Sequence, residues 1–256
     1  HQQQVVWWSG GGQPAPEGLF DLAYVARAST YRGERRVQVE LIAHRPAAGA
    51  PVVAVAPRTV ESIDLRQSPQ PATELTVLRR GKALAVFVEG VPPEGVRGQP
   101  ASALPRGTDL VFWSAPPSPA RVRAALDAVQ PERVILFAVD PGFDKPGPFL
   151  RRLAGLVKHV LAAQGGRTTV IALAEATSQR ETAVQLGLRW LAARGDITVV
   201  EGEGGELLLG QPGTPASEEE RTVAAARLAA ALEETAAFRA YFRTADKDAL
   251  IRGYLA

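Results

Sequence analysis

The chain has 256 residues, 46% of them apolar and 22% charged, with a formal net charge of +2. That balance excludes chain-wide disorder and describes a globular protein with a sizeable core. The absence of cysteine excludes disulfides and thiolate metal sites, and the three histidines, His1, His44 and His159, are scattered, so no histidine metal cluster is visible from spacing.

Methionine is absent too, and the chain opens His1-Gln2-Gln3-Gln4, from which we expect a piece of a longer protein. No charged-then-apolar leader precedes the first strand-like run, and no apolar stretch approaches about 18 residues. The expectation is a cytoplasmic chain with no signal peptide and no membrane contact. Basic residues divide into 25 Arg and 4 Lys, a compositional bias that says little about function.

Residues 3–8 read as a strand ending in the turn Ser9-Gly10-Gly11-Gly12. A second strand-like run covers 19–28, Tyr31-Arg32-Gly33 makes a turn, and 36–44 alternates with Val37, Val39, Leu41 and Ala43 on one face. Three antiparallel strands at this spacing make a meander, which is marginal alone and needs further strands or a neighbour to cover it. Pro46 to Pro51 reads as a linker. The runs 52–56, 83–88, 109–113 and 133–139 are apolar without alternation, as in strands buried on both faces. Ser118-Pro119 supplies a helix cap and first turn, Val122, Leu126 and Val129 share a face, and Pro131 closes the segment. This strand–helix–strand unit predicts a small parallel α/β sheet.

From Gly147 the pattern becomes helical, with Phe149, Leu150, Leu153, Leu156, Val157, Val160 and Leu161 at helix spacing and Gly165-Gly166 as the stop. Short helices are expected over 168–176 and 179–194, then two strands at 196–200 and 206–209 about a Gly-rich turn. Three helices followed by a β-hairpin are the order of a winged helix. Ser217-Glu218-Glu219-Glu220 caps a long helix running to Thr244, its acids at the positive end. The expected fold is mixed α/β. It comprises a C-terminal half of an OB-type β domain at 1–46, a small α/β domain at 50–146, a winged-helix-like segment at 147–212 and a helical segment at 216–256.

Catalytic motifs are missing. Gly81-Lys82 is followed by Ala83, not the hydroxyl residue of a phosphate loop, and Gly202-Glu203-Gly204-Gly205 lies inside a hairpin, where no dinucleotide fingerprint works. There is no Gly-x-Ser-x-Gly elbow and no His-Glu-x-x-His helix. Asp140 and Asp144 read as turn residues around Pro141-Gly142 in preference to cation ligands. No catalytic or metal residue is assigned. An α/β enzyme using the loops after Val88, Trp113 and Val139 requires a deep pocket at those strand ends.

The N-terminal strands carry more. Tyr31, Arg32, Arg35 and Arg36 crowd one turn, and Trp7 and Trp8 sit on the first strand. Aromatic faces stack bases and guanidinium groups neutralise phosphates, as single-strand binding needs. In the winged-helix-like segment the third helix carries Arg180, Glu181, Arg189 and Arg194, whereas 196–220 holds seven acids and no Lys or Arg. A hairpin bearing Glu201, Glu203 and Glu206 is repelled by phosphate. That favours a protein-docking segment, with Arg180, Arg189 and those three glutamates as candidate contacts. The competing reading is a free-standing winged-helix regulator that brings Arg180, Gln185 and Arg189 to the base edges of duplex DNA.

Three stretches, Val5-Val6-Trp7-Trp8, Phe20-Asp21-Leu22-Ala23-Tyr24 and Tyr31-Arg32-Gly33-Glu34-Arg35-Arg36-Val37-Gln38-Val39-Glu40, together resemble the closing half of the OB domain of RecJ-type bacterial exonucleases. These are single-strand-specific 5′→3′ nucleases of DNA repair and recombination. The similarity continues in Ile63-Asp64-Leu65-Arg66, in Arg180-Glu181-Thr182-Ala183-Val184 with Trp190 to Gly195, and in the tail Glu234 to Arg243. Ser29 stands where the family commonly has Asn. The family's nuclease centre, which holds manganese or magnesium in an Asp/His-rich core, is matched nowhere here. The resemblance implies a non-catalytic C-terminal region without its own cofactor. Tyr31, Arg32, Arg35, Arg36, Trp7 and Trp8 would contact single-stranded DNA. The rest would dock repair proteins such as a single-strand-binding protein or a helicase.

Overall fold

The computed structural model describes residues 5–8, 10–12, 15–31, 34–46, 59–81 and 83–255, with side chains at all of these except 27–31 and 34–37. The chain divides into two compact units, His1–Ala56 and Pro57–Ala256.

The first unit is a three-stranded sheet of β1 (Val5–Val6), β2 (Phe20–Tyr31) and β3 (Glu34–Pro46). β2 and β3 form an antiparallel hairpin in which Tyr31 faces Glu34. The antiparallel meander expected from the strand spacing does not extend to β1. That strand pairs in parallel with β3, Val5 opposite Val39, so the order is β1-β3-β2. Trp7 and Trp8 lie beyond this two-residue strand. Alternation buries Val39 and Leu41 on one face of β3. The ladder then shifts, with Tyr24 opposite Leu41 but Ala23 opposite Ala43, which makes Ile42 the extra residue of a bulge. Ala43 therefore leaves the face it was expected to share and is exposed. Of the linker expected at 46–51 and the strand at 52–56, everything from residue 47 lies outside the described residues.

The second unit is built on a parallel sheet of β4 (Glu61–Asp64), β5 (Ala85–Phe87), β6 (Asp109–Ser114) and β7 (Arg133–Val139), in the order β4-β7-β6-β5. The uninterrupted apolar runs are split by the two-residue period of the strand. Phe87, Leu110, Phe112 and Leu136 face α2 (Pro119–Val129), while Val86, Val111, Trp113 and Ile135 cluster with Leu75 of α1 (Pro71–Leu78). α2 begins as its sequence dictates, with Ser118 Oγ accepting the Arg121 N–H at 3.3 Å, and ends at Gln130, which takes a left-handed conformation before Pro131.

Next come α3 (Pro146–Ala163), β8 (Arg167–Thr169), α4 (Val170–Thr177), α5 (Glu181–Ala193), β9 (Thr198–Glu201) and β10 (Glu206–Gly210). The three strands are antiparallel in the order β8-β10-β9. The helix expected over 168–176 thus starts later. Thr168 and Thr169 pair with β10, and the Thr169 hydroxyl then caps α4 by accepting the Ala172 N–H at 3.1 Å. Gly166, at φ +83°, turns the chain out of α3 so tightly that a Cβ would strike the Leu209 carbonyl.

α6 (Glu218–Thr244) opens on a reciprocal Ser217–Glu220 capping box, and α7 (Lys247–Leu255) follows. α6 spans two cores: Leu228 and Leu232 pack with α3, α4 and α5, and Phe242 packs on Phe112 with its ring centroid 5.5 Å away. Leu250 and Ile251 of α7 complete that second core. Arg66, following β4, donates to the carbonyls of Phe242 and Ala245 at 2.7 and 2.8 Å while paired with Asp64 at 2.6 Å. Ser62 bonds to Asp248 of α7. Residues 57–146, 147–212 and 216–256 therefore share one unit.

Candidate functional site

In the first unit the two adjacent tryptophans take different roles. Trp7 is half-buried, its ring edge-on to His44 at 5.2 Å, and Phe20 approaches the same imidazole at 6.0 Å. Trp8 is 72% exposed, and Tyr24 on β2 is 57% exposed. The backbone brings Tyr31, Arg35 and Arg36 to the end of the hairpin, where Thr30 faces Arg35 and Ser29 faces Arg36. The side chains of Tyr31, Arg35 and Arg36, and the whole of Arg32, lie outside the described residues.

In the second unit, a cavity of about 760 Å³ opens between α3 and the end of α5, closed below by Ile197, Gln211 and Pro212. Its origin is the width of the apolar stripe on α3. Phe149, Leu153, Val157 and Val160 fill the core, which leaves Leu150, Ala154 and Leu161 half-buried along the groove. Trp190 walls the other side, with the Arg194 guanidinium over its ring at 4.8 Å. Arg151, Lys158 and Arg194 rim this apolar floor, and Asp196, 3.3 Å from Arg194, is the single carboxylate among the lining residues. An apolar trough with a positive edge suits a chain segment that is acidic and carries an apolar anchor.

The docking candidates read from sequence fall elsewhere. Arg180, at the start of α5, is turned onto α6, where it donates to the Ala231 carbonyl at 2.9 Å and pairs with Glu234 at 2.6 Å. It ties two helices together. Arg189 and Glu201 face each other at 3.7 Å on the exposed side of α5 and β9, and Glu203 and Glu206 are exposed on the hairpin. The groove itself was missed, although Trp190 and Arg194 lay within the family-like stretch. Their signal was an aromatic followed at helix spacing by a cation, beside an apolar stripe wider than a core requires.

The carboxyl edge of the parallel sheet, where α/β proteins commonly bind ligands, is filled with side chains. Arg239 of α6 is 2% exposed. It donates to the Ala115 carbonyl at 3.0 Å and to Ser178 Oγ at 2.9 Å, and it pairs with Asp144. Gln179 Nε2 donates to Asp144 at 2.8 Å. Burial pushes the Asp144 carboxyl up against the pull of Arg239. Asp140 accepts the Gly142 N–H at 2.8 Å, the turn bond its sequence context suggests. Beside them Glu89, 3% exposed, lies 3.1 Å from Arg121 Nε, and burial pushes its carboxyl up to about 8. The loops after Val88, Trp113 and Val139 converge on this packed cluster.

Among the described residues no group of three or more His, Cys, Asp or Glu is placed to hold a metal ion, and no helix is long and apolar enough to cross a membrane. No protein-family model and no curated protein matches the chain.

Proposed function

We propose that the chain is a non-catalytic binding module, the C-terminal region of a RecJ-type 5′→3′ single-stranded-DNA exonuclease. Its first unit holds single-stranded DNA, and its second docks an acidic segment of a repair protein such as a single-strand-binding protein or a helicase. The observation that carries the docking half is the basic-rimmed apolar groove between α3 and α5. The manganese or magnesium chemistry of such an enzyme belongs to a core that this sequence does not match.

The DNA half draws support from topology. An order β1-β3-β2 with β1 parallel to β3 is that of the last three strands of a five-stranded OB barrel, a fold that carries single strands on its sheet. Trp8 is the stacking residue this reading favours, because Trp7 is committed to His44. In the second unit the order α3-β8-α4-α5-β9-β10 supports a winged-helix reading. A duplex-reading regulator needs Arg180 at base edges, whereas here it is bonded to α6, and Gln185 is half-buried. The docking role is therefore preferred.

A fluorescein-labelled peptide of aspartates ending in phenylalanine tests the groove by anisotropy. Binding is expected to weaken about tenfold or more in Trp190→Ala and in Lys158→Glu, and to fall with added salt. Equal affinity in both variants refutes the docking site. Labelled oligo-dT tests the first unit: Trp8→Ala, and Arg35→Ala with Arg36→Ala, should each weaken binding, the arginine pair also flattening the salt dependence. Salt-insensitive binding refutes the phosphate contact.

A further inference from the structure

The ionic cluster at the carboxyl edge of the parallel sheet takes part in neither binding face, and its charges do not balance. The guanidinium of Arg121, in the first turn of α2, is shared, with Nε 3.1 Å from Glu89 Oε1 and Nη1 3.7 Å from Glu175 Oε1. Glu175, on α4, is held in addition by Ser102 Oγ at 2.6 Å. The second cation, Arg239 of α6, is committed to Asp144, Ser178 and Ala115. Asp140 faces Arg243 of α6 at 3.6 Å on the exposed fringe. The other polar groups that close the cluster, Ser114 of β6 and Ser178 and Gln179 of the α4–α5 turn, are neutral.

Three carboxyls, Glu89, Glu175 and Asp144, thus face two guanidinium groups in a site with little water. Neither oxygen of Glu89 has a hydrogen-bond partner, whereas Glu175 and Asp144 both do. The surplus negative charge therefore falls on Glu89, which is the carboxyl least able to bear it. The loop that carries Glu89 is also the one seated against the α4–α5 turn. The Gly90 N–H donates to the Glu175 carbonyl at 2.9 Å. Gly90, at φ +85°, packs so closely that an added Cβ would stand 3.3 Å from Ser178 Cβ.

We propose that Glu89 is a proton-operated latch between the parallel sheet and α4. Neutral, it lets the loop after β5 seat against α4 and the α4–α5 turn; ionised, it unseats that loop. Burial supplies the upward push that brings its titration to about 8, Glu175 adds to it, and Arg121 and Arg239 oppose it. Between the ordinary carboxyl range and about pH 8 the folded chain holds a proton that the unfolded chain has released. Stability therefore falls as pH climbs through that window, and the loss is complete above it.

Amide hydrogen exchange of the whole chain, corrected for the intrinsic pH dependence of exchange, tests the latch. Peptides spanning the Gly90 loop and the α4–α5 turn should lose protection about tenfold or more between about pH 6.5 and pH 9. Glu89→Gln, which keeps the shape without the charge, should stay protected at both. Glu175→Gln removes the like charge and should move the transition to lower pH than in the unaltered chain, since Arg121 then serves Glu89 alone. Unchanged protection across the range in the unaltered chain, or pH dependence that survives in Glu89→Gln, overturns the proposal. So does a Glu175→Gln transition that does not move.

Discussion

Arg239 concentrates the stability of the second unit in one side chain. It bonds across 124 residues of sequence to Ala115 and across 61 to Ser178, joining the parallel sheet, the α4–α5 turn and α6. Truncating a buried, hydrogen-bonded cation leaves its carboxylate partner unpaired in a dry site, at a cost of about 3–5 kcal/mol. Arg239→Ala should lower the urea midpoint accordingly, and Arg239→Lys should rescue little, because an ammonium cannot span acceptors set for a guanidinium fork. None of this was legible in the sequence. The tail containing Arg239 stood out as family-like, but an arginine among Phe238, Tyr241 and Phe242 shows no sign of partners so distant. Glu89 was equally silent: burial of a carboxylate after a three-residue strand is a property of the neighbours that close over it. Trp8 and Trp7 could be named as a pair, yet what tells them apart is the partial burial of Trp7 and its contact with His44.

At the scale of elements, sequence pattern served best where one segment determines its own state. α6 begins and ends where Ser217 and Thr244 predicted, since a capping box and a helix-spaced run need no distant partner. The non-alternating runs at β5, β6 and β7 likewise announced strands buried on both faces. Pairing was not legible. β1 has two residues, too few for their alternation to show that they run parallel to β3, and Thr168 and Thr169 fit the start of a helix by local pattern because they become strand only through β10. The contact between α3 and α5 rests on Gly187, where an added Cβ would stand 2.7 Å from both Phe149 and Leu153. Gly187→Val should cost about 1–3 kcal/mol by overpacking and should widen the groove as the helices part, seen as weaker binding of the aspartate–phenylalanine peptide. Equal stability and affinity would show that the helices accommodate the added bulk without parting.

The molecule as a whole divides its apolar burial unevenly. The second unit holds three hydrophobic clusters shared among a parallel sheet, a small antiparallel sheet and their helices. The first holds a three-stranded sheet in which Val39 and Leu41 are the buried apolar residues among the described side chains, and a sheet of that size is marginal in isolation. Calorimetry should therefore resolve a small early transition before a main one, the early one reported by Trp7 and Trp8 fluorescence. A single coincident transition for all four tryptophans would show instead that the units unfold together.

The bonds from Arg66 to the last turn of α6, and from Ser62 to α7, set an order on biosynthesis. The earliest strand of the parallel sheet is secured by residues 176 to 186 positions further along the chain, which leave the ribosome long after it. Until those emerge, the surface of Phe112 and Leu136 that Phe242, Leu250 and Ile251 cover has no lid. A nascent chain arrested before α7 is then a natural client for chaperones, and a nonsense codon placed just before α7 should yield a product that is degraded rather than accumulating as partly working protein.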